Sequence, residues 1–201
     1  MLYLMGFDLL TGVFVLPPLA WLDTRPGCTF ARVLKNWGLV FIGNFAGAIT
    51  TAVMMVWILT YGFNTDPGPV GTKLASIGEA RTLGYKEHGA AGWATIFLSG
   101  ALCNWMVSLG VVGAMISTTV SGKVIAMWMP SLLFFYMTFE HSIVNMFLFP
   151  IAMMMGCDFG IPDSLLWNEA PTVLGNLVGG LSLTGLMIYS THVKTAPRHI
   201  F

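Results

Sequence analysis

Glu140 and His141 stand nearly alone in a long apolar tract. From Val124 to Cys157 they are the only ionisable side chains besides Tyr136 and the terminal thiol. They open the run Phe139-Glu140-His141-Ser142-Ile143-Val144-Asn145-Met146, a polar interruption of an otherwise apolar segment. An imidazole, with an unperturbed pKa of about 6.5, can hydrogen-bond a passing solute or exchange a proton with it. Ionisable groups at membrane depth usually face a bundle interior or a water-filled path and mark function. His141 is therefore expected to line a route for something polar. Glu140 is expected to serve structure. It should turn inward and accept from backbone donors that the interruption frees.

The elements that must position these residues are set by composition. The 201 residues are 56% hydrophobic and 9% charged, where a soluble domain carries about 25% charged residues. The chain belongs in a bilayer. Nine basic and nine acidic residues balance, which argues against a nucleic-acid partner. Cys28, Cys103 and Cys157 form no spaced cluster, so neither a metal site nor a disulfide framework is legible. No cofactor is implied. The 14 methionines sit in apolar runs such as Met153-Met154-Met155 and read as core filler rather than copper ligands.

Five apolar tracts follow in order: residues 1–22, 36–62, 89–120, 124–157 and 170–191. About 20 residues at 1.5 Å each cross the hydrocarbon core. The second, third and fifth tracts suffice for one span each, the fourth for a broken span, and the first is too short for a complete one. Arg25, Arg32, Lys35, Lys123, Lys194 and Arg198 cluster on alternate links, whereas the link at 158–169 holds Asp158, Asp163 and Glu169 without a base. The positive-inside rule then puts the C-terminus in the cytoplasm of a multi-pass inner or plasma membrane protein. Residues 63–88, mixed in charge and rich in Gly and Pro, are expected to face outward with 158–169, the part holding Glu79, Arg81, Lys86, Glu87 and His88 as a solvated outer loop.

Two tracts share a signature. Gly43-Asn44-Phe45-Ala46-Gly47 and Gly175-Asn176-Leu177-Val178-Gly179 both read G-N-x-x-G. Small residues let helices approach closely, and an asparagine within the membrane must find a partner. Recurrence in two tracts of opposite orientation is what an inverted repeat produces. On that mapping the polar break at Thr11-Gly12 pairs with the one at Glu140-His141. The symmetry also implies a further helix and the front of a broken one ahead of residue 1, at least roughly 40 residues in all.

These motifs resemble the formate/nitrite transporter family. Phe139-Glu140-His141-Ser142-Ile143-Val144-Asn145-Met146 is similar to its fifth-helix FEHSxAN(M) loop, and Leu102-Cys103-Asn104-Trp105-Met106-Val107 to its fourth-helix ILCNWLV. Lys35-Asn36-Trp37 with Gly43-Asn44 resembles the third helix's KNW…GN, and Gly175-Asn176 with Gly179-Gly180 the sixth helix's GNxxGG. Asp8-Leu9-Leu10-Thr11 resembles the second-helix loop E/D-L-F-T, with Leu10 where Phe is common. Val144 stands where Ala is usual.

The resemblance implies an all-α, aquaporin-like inverted-repeat bundle, with broken second and fifth helices and about five of six spans present as a single transporter domain over 1–201. It also implies a homopentamer with a pore in each protomer. Thr11, His141, Asn104 and Asn176 are the expected pore and substrate residues, and Leu9, Leu10 and Phe134 the apolar constrictions. Lys86 or His88 stands where the family places an anion-attracting lysine. Asp8, Glu140, Asn44 and Asn145 are expected to be structural polar groups. The expected function is passage of a small monovalent anion such as formate or nitrite, with protons, and not catalysis. Other readings are a neutral-solute channel on the same architecture and an incomplete, inactive fragment. A haem subunit bound through His141 and His88 lacks a second intramembrane histidine.

Overall fold

The computed structural model describes residues 8–194 and is helical, with no strand among them. The expectations resting on residues 1–7 and on Arg198 lie outside the described residues, as does the side chain of Lys194.

Helices α1 (Leu10–Val13) and α2 (Leu16–Leu22) flank a two-residue turn. Pro17 and Pro18 sit in the first turn of α2, where a missing N–H leaves no hydrogen bond unmade. The long α3 (Phe30–Leu59) follows. Next come α4 (Gly68–Glu79), a π-helical turn (Ala80–Gly84), α5 (Gly89–Ile116) and α6 (Val120–Tyr136). The chain then continues through α7 (Ser142–Met154), α8 (Ile161–Ser164), the π-helical turn Leu165–Glu169 and α9 (Ala170–Gly180). A third π-helical turn (Leu181–Gly185), α10 (Leu186–Tyr189) and a fourth turn (Ser190–Lys194) complete it.

Three continuous helical stretches, Phe30–Leu59, Gly89–Ile116 and Ile161–His192, are long and apolar enough to cross a membrane. The most apolar window of α3 is only 11% buried in the protomer, and Leu39, Ile42, Trp57 and Ile58 on α3 are exposed. Such a surface suits lipid or a neighbouring protein, not water.

Contacts divide the described chain into two compact units. One comprises residues 8–40, 101–139 and 176–194, the other residues 41–100 and 140–175. In the first, α5 and α6 pack so closely that a Cβ at Gly113 would lie 3.1 Å from Ala126 Cβ. In the second, α4 lies on α7. Gly71, Ala75 and Gly78 form its buried stripe, and a Cβ at Gly78 would stand 2.7 Å from Ala152 Cβ. Part of the Gly- and Pro-rich stretch 63–88 is therefore a packed helix. Small residues at helical spacing there are a contact face, although their low hydropathy reads as loop.

Candidate functional site

The break near residue 140 begins where α6 stops. Thr138 adopts φ +55°, a left-handed conformation disfavoured for a β-branched residue. The Phe139 N–H donates to Phe134 O at 3.0 Å and closes the helix end. His141 is extended (φ −127°, ψ 117°) and caps α7; its carbonyl accepts from the Asn145 N–H at 3.0 Å. His141 is 6% exposed and Ser142 fully buried. The imidazole thus stands at the N-terminus of a 13-residue helix, the end that favours negative charge.

Glu140, 1% exposed, is held by side chains drawn from three elements. Its Oε2 accepts from Asn145 Nδ2 at 2.8 Å, Asn168 Nδ2 at 3.2 Å and Arg81 Nη1 at 3.3 Å. Arg81 also donates to Asn145 Oδ1 at 2.9 Å. Asn145 Nδ2 and Thr172 Oγ1 both donate to Asn168 Oδ1, at 2.7 and 2.9 Å. Asn168 in turn donates to the Arg81 carbonyl at 2.7 Å. The backbone N–H of Glu140 donates to Ser99 Oγ at 3.0 Å. The Tyr85 hydroxyl is pushed up to about 12, first by burial and then by the Glu140 charge.

Glu140 was expected to accept from backbone donors freed by the break; the donors placed on its Oε2 are side chains. Among its donors, Asn145 was a sequence candidate, whereas the Arg81 guanidinium and the Asn168 amide were missed. Arg81 fell within the supposed outer link, yet 15% of its side chain is exposed. Asn168 and Glu169 fell within the acidic link, yet they are 0% and 6% exposed. A signal for Asn168 did exist: Asn36 precedes it by 132 residues, the separation that also relates Asn44 to Asn176 and Asp8 to Glu140.

The other break lies in the first unit. Leu9 is extended ahead of α1 (φ −106°, ψ 140°). Leu10 and Thr11 are 1% and 0% exposed; Leu9 is half-buried and Asp8 exposed. Asn104, fully buried on α5, uses its amide to donate to Thr11 O at 3.1 Å and Asn176 O at 2.6 Å. Both amide protons are thereby committed to carbonyls at the break. Asn176 is fully buried, while Asn44 is half-buried. Trp37 Nε1 donates to Val13 O at 2.7 Å, and its ring meets Phe14 edge-on. A cleft of about 150 Å³ is lined here by Asp8, Leu9, Thr11, Asn36, Val107 and Met127, among others. Phe134, 4% exposed, packs with Cys103 and Val107.

Of the two candidate anion attractors, Lys86 is paired with Asp163 at 2.7 Å, and His88 is exposed. Among the described residues no cluster of histidine, cysteine or carboxylate side chains is placed to hold a metal.

Apolar helices of spanning length, together with two helix breaks that bury polar groups, are the architecture of a multi-pass membrane protein. The formate/nitrite transporter family model matches residues 1–190. The chain is 31% identical to a probable formate transporter of Methanothermobacter thermautotrophicus, over 94% of this chain and 69% of that protein. It is 32% identical to formate-nitrite transporter 2 of Toxoplasma gondii, over 90% of this chain and 37% of that protein. A solved pentameric formate channel with formate bound superposes with a TM-score of 0.72 at 24% identity, over 94% of this chain and 76% of that one. The chain belongs to the formate/nitrite transporter family, and the fold it shares with the solved channel is consistent with the aquaporin-like architecture.

Proposed function

We propose that this protein conducts small monovalent anions of the formate or nitrite kind across a membrane, with His141 at one helix break and Thr11 at the other as its polar pore residues. The observation that carries this reading is the neutralised Glu140. Arg81 offsets its charge and two asparagines occupy its Oε2. An anion approaching His141 therefore meets a helix N-terminus instead of a bare carboxylate. A bare anion pays heavily to enter an apolar constriction. A hydrogen bond or a proton from His141 lowers that barrier, and the neutral acid passes Leu9, Leu10 and Phe134.

Asn104 and Asn176 hold the first break, and Lys86 and His88 contribute positive potential at the mouth. The membrane is the inner or plasma membrane, with the C-terminus cytoplasmic. The working unit is a homopentamer, supported by the related solved channel and by the exposed apolar face of α3. Stopped-flow swelling of proteoliposomes tests the reading. Formate or nitrite should enter faster than into protein-free vesicles, and an uncharged solute of similar size should neither enter faster nor compete. Equal acceleration of both would indicate a neutral-solute channel instead.

A further inference from the structure

Glu169 closes the π-helical turn Leu165–Glu169 and is 6% exposed. Neither of its carboxyl oxygens has a hydrogen-bond partner. That turn packs on the π-helical turn after α4, on α7 and on α8. The titratable and charged groups on and beside those elements are Glu79, Arg81, Tyr85, Glu140, His141, Cys157, Asp158 and Asp163, the last paired with Lys86. Arg81 is bound to Glu140 and Asn145. Asn168, the residue before Glu169, donates to Glu140 Oε2 at 3.2 Å, which brings that second carboxylate close. An ionised Glu169 would thus be a buried anion without a donor, facing another anion, the costliest form of a buried carboxyl. A protonated Glu169 leaves the Arg81–Glu140 pair balanced.

We propose that Glu169 is a proton-binding site that sets anion throughput. Its carboxylate takes one proton from the aqueous phase to become the acid, and loses it as pH rises. The inference rests on the anion-conducting reading above. With Glu169 neutral the cluster beside His141 carries no net charge from its Arg–Glu pair. With Glu169 ionised the cluster is net negative and repels the anion. Throughput is therefore present at low pH and lost as pH rises through the titration of Glu169.

Two measurements on the protein in liposomes test this. The first is the infrared difference between wild type and Glu169→Gln at neutral pH, which should contain a protonated carboxylic-acid band. The second is the ratio of wild-type to Glu169→Gln formate flux, in which the titrations of formate and of His141 cancel. The ratio should fall on the order of tenfold from the acid to the alkaline end of a pH series. Glu169→Asp, which keeps a carboxyl group, should retain the fall. A missing band or a pH-independent ratio overturns the proposal. If wild-type vesicles carry no anion, the anion-conducting reading fails, while the infrared band still decides whether Glu169 holds a proton.

Discussion

Asn145 donates to Glu140 across the helix break at 2.8 Å, tying the residue before His141 to the first turns of α7 behind it. The same amide reaches Asn168, and Arg81 closes the ring by donating to both Glu140 and Asn145. His141 is thus held between two anchored neighbours. The interruption is costly in an apolar segment, and the network that satisfies it also fixes its shape.

Removing the cation should be the most damaging change in this network. Arg81→Met leaves Glu140 buried without its counter-charge, a situation that typically costs about 3–5 kcal/mol. Thermal unfolding in detergent should show a clear loss of stability. Arg81→Lys should lose less, because an ammonium keeps the charge but not the planar fork. A melting point unchanged in Arg81→Met would mean that the pair contributes nothing.

Asn104 is expected to behave as a clamp. Asn104→Leu deprives the Thr11 and Asn176 carbonyls of their donor, at about 1 kcal/mol for each bond. Stability should fall by about 2 kcal/mol, and anion flux with it as the break loosens. Flux lost with full stability would instead indicate direct contact with the solute.

Gly179 marks the closest helix approach in the first unit. A Cβ there would fall on the backbone of Ala101, 2.6 Å from its Cα, and backbone cannot turn aside. Gly179→Ala should destabilise by at least about 1–3 kcal/mol. Gly84→Ala, with no atom within 4 Å of its Cβ, should be close to neutral. Chemical unfolding of the pair provides the comparison.

Tyr85 gives a pH dependence with a definite sign. Its hydroxyl rises from 10.0 to about 12 in the fold, through burial first and the Glu140 charge second. The folded state therefore keeps a proton that the unfolded chain gives up. This contribution is complete below pH 10 and is lost as pH rises to about 12. Tyr85→Phe should remove that part of the alkaline loss of stability. Identical alkaline profiles for the two proteins would contradict it.

Much of the break was legible in the sequence, because polar residues in an apolar tract have few innocent explanations. Glu140, His141 and Thr11 were visible on that ground, and the G-N-x-x-G recurrence tied Asn44 to Asn176. Arg81 was not visible. It sits among Glu79, Lys86 and Glu87 in a segment of loop-like composition, and its partners lie 59 and 64 residues away. Periodicity within a segment says nothing of such a distant partner. Glu169 was hidden for a related reason: it continues an acidic link in the sequence, and only the packing of its turn against its neighbours buries it. Asn104 was noticed as polar, yet its two carbonyl acceptors come from different elements, so the bonds its amide makes are a property of the fold.

The central claim is that His141 sits on a route for small anions. The direct test is formate influx into proteoliposomes for wild type and His141→Ala, compared with protein-free vesicles across a pH series. Wild type should exceed protein-free vesicles, and His141→Ala should lose most of that excess together with its pH dependence. Wild-type influx equal to that of empty vesicles, or a His141→Ala profile superimposable on wild type, would contradict the account.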